Sequence, residues 1–196
     1  MADSVPYVQA YGNVTKALER IRQAQTPPRF TQDFLETKLN LSGGSARPVI
    51  PFLKRTGFLA PDGTPTDLYK RFRGTEAQSG AAAAEALRIG YAPLFQVNEY
   101  VHDAKDSDVK KIIVQVTGAE DNSSQVKSAF GSFKALRAFA NFDVQPEEET
   151  EAQEEVLPRD ERTPAAAGAV GSLKLGYTIN LNLPATSDIA VFDAIF

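Results

Sequence analysis

Cysteine is absent from the 196 residues, and that absence removes disulfides, thiolate nucleophiles and thiolate-held metals together. Histidine occurs once, as His102, so multi-imidazole metal sites and most nucleophile–base arrangements are excluded as well. Lying in the polar stretch YVHDAKD, it reads as a surface histidine. No run of about 18 apolar residues exists to span a membrane. The opening MADSVPYVQA has no charged stretch leading into an apolar one, so it is not a secretory signal, and the expected location is cytoplasmic. Catalysis would rest on carboxylates, Lys or Tyr, and no spacing of these asks for it. The chain therefore reads as a non-enzyme with no cofactor, no metal, no membrane association and no evident small-molecule substrate.

What is present is ordinary in amount and uneven in placement. Hydrophobic residues make up 42% and charged residues 23%, the range of a soluble chain able to bury a core. The net charge of −4 divides into +5 over residues 1–73, −2 over 74–143, −6 over 144–172 and −1 over 173–196. Positive charge thus gathers in the first third.

That third carries the clearest pattern. Val14, Ala17, Leu18, Ile21 and Ala24 recur at three and four, predicting a helix over 13–25 that Pro27 and Pro28 stop. Thr31 is placed to cap a second helix with Phe34, Leu35 and Leu39 on its inner face. Gly43 and Gly44 fit a tight turn, Ser45 a cap, and Val49, Ile50 and Leu53 the inner face of a third helix ended by Gly57. Phe58-Leu59, the reverse turn Pro61-Asp62-Gly63 and Thr64-Pro65 supply a short extended arm, after which Thr66 caps a further helix. Helix, turn, helix and arm in this order predict a winged helix-turn-helix over residues 1–74.

Residues 75–143 predict a second helical unit. Its elements are an alanine-rich helix kinked at Gly90 and Pro93, a segment over 108–117 capped by Ser107, and a helix capped by Ser123 or Ser124 that carries Val126, Phe130, Phe133, Leu136 and Phe139. Clustered β-branched residues leave a strand as the alternative for 108–117. The unit reads either as a plain helical hairpin or as a second helix-turn-helix. Residues 144–171 are acidic and poor in large apolar residues, predicting a disordered linker, with masking of a basic face as a minor reading. Over 172–196 an alternating strand ends at Pro184 and is followed by a helix capped at Thr186-Ser187-Asp188. The apolar stripe of that helix breaks off at Phe196, as in a chain cut short. A strand of this length needs a partner strand, so the segment reads as a docking or dimerising element.

The strings TPPRFTQDFLETKLNLSGGSARPVIPFLKRTGFLAPDGTPTDLYKRFR, YAPLF, VTG, FKALRAFANF and INLNLPATSDIAVFDAIF resemble the prokaryotic family catalogued as domain of unknown function 5343. The resemblance implies no activity and no catalytic residues. It does imply that the C-terminal piece belongs with the N-terminal domain and that the acidic stretch is a variable insertion.

Two functional expectations follow. A mainly α protein with a winged helix-turn-helix would bind duplex DNA, in a regulatory role, through Arg47, Lys54, Arg55, Lys70, Arg71 and Arg73. Two prolines and few base-reading side chains on the recognition helix weigh against it. The alternative is an assembly module that forms a homodimer or docks a partner protein through Tyr177, Ile179, Leu181, Phe192 and Ile195. The glycine pair ahead of a helix suits an anion, but the lysine and spacing of a phosphate loop are missing.

Overall fold

A computed structural model of the chain describes residues 5–143. The expected linker and the strand–helix element over 172–196 lie outside the described residues. The architecture is mainly helical: α1 Gly12–Gln23, a five-residue π-helical turn Phe34–Lys38, α2 Val49–Arg55, α3 Asp67–Phe72, α4 Glu76–Gly90, α5 Ala92–Val97, α6 Asp106–Thr117 and α7 Ser124–Arg137. Among the described residues no helix is long and apolar enough to cross a membrane.

Local chemistry accounts for most of these boundaries. The inner face of α1 buries Val14, Ala17, Leu18 and Ile21, and the helix ends where Ala24 turns extended ahead of the two prolines. The Thr31 hydroxyl accepts from Phe34 N–H at 3.2 Å. Instead of a regular helix, the segment then widens, with Leu39 N–H reaching back five residues to the Phe34 carbonyl and Leu41 N–H six residues to that of Leu35. Arg20 of α1 donates to the part-buried carbonyl of Leu39 and the exposed one of Asn40, closing this wide turn. In this turn Asn40 and Gly43 take positive φ, at 47° and 91°, whereas Gly44 does not. Ser45 does not cap α2. Its carbonyl accepts from Asn13 Nδ2 at 3.0 Å, and consecutive three-residue turns lead into the helix through Pro48.

Gly57 ends α2 with φ +81°, and Thr66 caps α3 through its hydroxyl, which accepts from Tyr69 N–H and donates to the Gly57 carbonyl at 2.7 Å. The arm between them is a small hairpin, bridged at Leu59 and Pro65, in which Gly63 adopts φ +94° with its Cα facing the Phe30 carbonyl. A Cβ there would come within 3.1 Å of that oxygen.

Beyond α3, a capping box at Thr75 and Gln78 starts α4. Gly90 and Pro93 separate α4 from α5 rather than kinking one helix, because Pro93 falls in the first turn of the second. The alanine run is core: Ala82, Ala83 and Ala86 are fully buried, allowing close approach of neighbouring helices. Residues 108–117 are helical, within an α6 that begins at Asp106 with Ser107 inside its first turn. Gly118 ends it in the left-handed conformation and Ser123 caps α7. Side chains from both sides of the expected boundary at residue 74 share one core, running from Val5 and Leu18 through Phe52, Phe58 and Phe72 to Tyr91, Phe133 and Leu136.

His102 is not a surface histidine. It is 9% exposed and lies flat on Phe142 with ring centroids 3.8 Å apart, while Phe95 and Tyr100 flank it. Its neighbours YVHDAKD are polar, but the rings that cover it come from α5 and from the segment after α7.

Candidate nucleic-acid interface

The six basic residues singled out in the sequence fall into two groups when their partners are traced. Arg73 Nε donates to the Ile21 carbonyl at 3.0 Å, and its two terminal nitrogens donate to the Thr26 hydroxyl and the Ala24 carbonyl. One guanidinium thus satisfies the carbonyl end of α1, where helical partners have run out. Arg71 pairs with Glu85 of α4. Lys54, in the last turn of α2, donates to the Pro61 carbonyl in the hairpin at 2.7 Å. These three side chains brace the fold.

Arg47, Arg55 and Lys70 present more of themselves to solvent. Arg47 lies just ahead of α2 and Arg55 on its last turn, where its guanidinium also donates to the Val5 carbonyl at 3.4 Å. Lys70 of α3 bonds Asp67 at 2.8 Å with both side chains mostly in solvent, a pair that raises the lysine's pKa and lowers the carboxylate's. Such an exposed pair is screened by solvent and leaves the ammonium able to exchange partners.

The hairpin itself is tightly pinned. Asp62 accepts from Thr64 N–H at 3.0 Å and from its hydroxyl at 2.7 Å, and those bonds, with nearby Arg29, hold the carboxyl below its ordinary 3.8. Arg29 Nε donates to the Asp62 carbonyl at 2.6 Å, and Phe30 N–H to that of Gly63 at 2.8 Å. Residues 29–30, the hairpin and α2 are therefore joined by polar contacts as well as by packing.

Sequence reasoning missed several further groups. Arg20 and Arg29 act as clamps on distant carbonyls, and neither has a local signature. A second cationic cluster lies on α6 and α7. Lys110 and Lys134 place their ammoniums 4.8 and 5.8 Å from the Phe130 ring centroid, and Lys134 bonds Asp106 at 2.8 Å. Phe130 and Lys134 share a face of α7, but Lys110 stands on α6, so no local spacing joins the three. The interaction residues Tyr177, Ile179, Leu181, Phe192 and Ile195 lie outside the described residues.

These features define a mainly helical domain with a braced helix–hairpin unit and cations on two surfaces. The chain belongs to the family of unknown function DUF5343, whose model matches residues 6–147. That match covers both helical units and stops short of residues 172–196. No curated protein and no solved structure matches the chain.

Proposed function

We propose that the domain is a winged-helix module that binds duplex DNA, with Arg47, Arg55 and Lys70 meeting phosphates while Lys54, Arg71 and Arg73 hold the framework. The observation that carries this reading is the joining of α2, the hairpin and residues 29–30 into one unit. In it the Phe30 N–H donates to the Gly63 carbonyl and the Arg29 side chain to that of Asp62, fixing the hairpin against the segment ahead of the wide turn. Charge supports it, since residues 5–143 carry +4 against −7 over 144–196. With Pro48 and Pro51 at the start of α2, base-edge contacts are few, so the binding is dominated by phosphates and depends steeply on salt.

The test is fluorescence anisotropy of a labelled duplex with the full chain, titrated from about 50 to 200 mM salt. Affinity falls with salt, and the combined Arg47→Glu and Lys70→Glu variant loses at least about tenfold, the consequence of two phosphate contacts turned repulsive. A wild-type chain with no salt-dependent shift, or a double variant that binds as well as wild type, overturns the reading.

A second reading, an assembly module that dimerises or docks a partner protein, is favoured by the internal engagement of Lys54, Arg71 and Arg73. Light scattering on the full chain and on a chain ending at residue 147 checks it. A dimeric full chain and a monomeric shorter one support this reading, and equal protomer numbers remove the tail from dimerisation.

A further inference from the structure

Two ammoniums beside one ring is an arrangement with a cost and a use. Lys110 comes from the middle of α6, Lys134 from the last turns of α7, and both lie within 6 Å of the half-buried Phe130 ring. The ring's negative face attracts each. The like charges repel one another, and a third cation, Arg137, lies on the same side of α7, one turn beyond Lys134 and two beyond Phe130. Arg137 donates to the Ala104 carbonyl at 3.4 Å, just ahead of α6. Asp106 sits among the three, and Asp103 and Asp143 border the hollow beside Arg137. Asp106 is half exposed, bonds Lys134, and is held below its ordinary pKa first by that bond and then by the charges of Lys134, Arg137 and Lys110. The surplus therefore lies with the two lysines about the ring, +1 against Asp106, and Lys110 has no carboxylate in salt-bridge contact among the described residues.

We infer that the α6–α7 hairpin is a second phosphate-contacting face for nucleic acid, centred on Lys110 and Lys134 about the Phe130 ring, with Asp106 as the internal anion that a phosphate displaces. The occupant follows from charge complementarity. A polyanion relieves the repulsion between the two ammoniums, and Lys134 exchanges one exposed oxygen partner for another at little net cost. Neighbouring Lys111 lies outside the cluster, pairing with Asp108 at 3.2 Å and making no cation contact with the Phe130 ring, over which, among the described residues, only Lys110 and Lys134 sit. The hairpin thereby gains a role that its left-handed Gly118 turn and Ser123 cap alone do not assign.

The inference rests on the DNA-binding reading and refines it to two contact surfaces on one domain. The experiment measures the salt slope of duplex binding for the full-length wild type, Lys110→Gln with Lys134→Gln, and the control Lys111→Gln. Each lost phosphate contact lowers the slope by about 0.9, so the double variant falls by nearly two and the control stays at the wild-type value. Thermal melts by circular dichroism confirm that all three are folded. A double variant with an unchanged slope overturns the inference and leaves the α2 reading standing. Equal losses per residue in the control and the double variant also overturn it, because the effect is then general charge. A wild type that shows no salt-dependent binding overturns both.

Discussion

The ammonium of Lys54 and the carbonyl of Pro61 are 2.7 Å apart, which ties the last turn of α2 to the tip of the hairpin. The sequence places Lys54 at the end of a recognition helix, where a phosphate contact is the ordinary expectation. In the fold its reach is inward along the hairpin. Lys54→Ala frees an exposed carbonyl that water can satisfy, so the expected loss of stability is small, about 0.5–1.5 kcal/mol. Amide exchange separates the two roles. Protection of Ala60 and Gly63 N–H, which bond the Thr64 and Ala60 carbonyls, should drop in Lys54→Ala while the salt slope of duplex binding stays the same. A slope reduced by about one with exchange unchanged would assign Lys54 to phosphate instead.

Arg73 does more for the fold than Lys54, because three acceptors converge on its guanidinium where α1 ends. Arg73→Ala leaves the Ile21 and Ala24 carbonyls and the Thr26 hydroxyl without that donor in a half-buried place. Hydrogen bonds from a charged donor contribute about 1.5–3 kcal/mol, and partial access of water sets the expected loss near the lower end, about 2 kcal/mol. Lys carries the charge without the planar fork and should recover less than half of it. Urea unfolding of Arg73→Ala and Arg73→Lys measures both. A lysine variant as stable as wild type would show that charge, not geometry, is what α1 requires.

The contrast between these arginines and the helix caps explains how much of the fold was legible in the sequence. Thr66, Ser123, Gly57 and Gly118 act on backbone within a few positions of themselves, so a reader of the local string finds them. Ser45 and Ser107 carry the same chemistry as those caps but are not used. Asn13 and a series of tight turns settle the start of α2, and α6 begins one residue before Ser107. Arg73 meets Ile21 across 52 positions, and His102 is covered by Phe142 from the far end of the domain. No periodicity encodes such partners. The basic character of the first third was visible for the same reason the caps were, since it is compositional. Which cations face inward was not, because that depends on where distant carbonyls come to rest. The cluster about Phe130 was hidden likewise, its members being split between two helices.

Asp62 gives the hairpin a measurable dependence on acid. The Thr64 N–H and hydroxyl bonds, with Arg29 nearby, lower its pKa in the folded chain below 3.8. A carboxylate whose folded pKa is depressed contributes stability that is complete above the unfolded value and is lost as pH falls through the folded one. The hairpin should therefore keep its Asp62 contacts at pH 4 and above and lose them only below about 3.8. Carboxyl-carbon chemical shifts of Asp62, followed through an acid titration, report the midpoint directly. Thr64→Val removes the hydroxyl bond but keeps the backbone one, so its midpoint should move part of the way back toward 3.8. A midpoint at or above 3.8 in the wild type would mean that the turn is not held by these bonds in solution.

Tyr69 is the place where removing a polar atom should cost nothing. Its ring is fully buried against Phe30, at 6.3 Å between centroids, and its hydroxyl is enclosed without a hydrogen-bond partner. Burial raises the phenol's pKa to about 12, with nearby Arg73 opposing the shift. The neutral form is therefore the only one present across the stability range of the protein. Tyr69→Phe keeps the ring and deletes an oxygen whose desolvation is uncompensated, a change worth about 1–3 kcal/mol when the buried group is wholly unpaired. The small space left behind takes back part of that gain. The expected result is a variant as stable as wild type or up to about 1 kcal/mol more stable by urea unfolding. Because no duplex contact is assigned to Tyr69, its salt slope should match that of wild type. A loss of more than about 1 kcal/mol would mean that the hydroxyl finds a partner, such as an internal water, and that the end of α1 near Arg73 is wetter than its packing suggests.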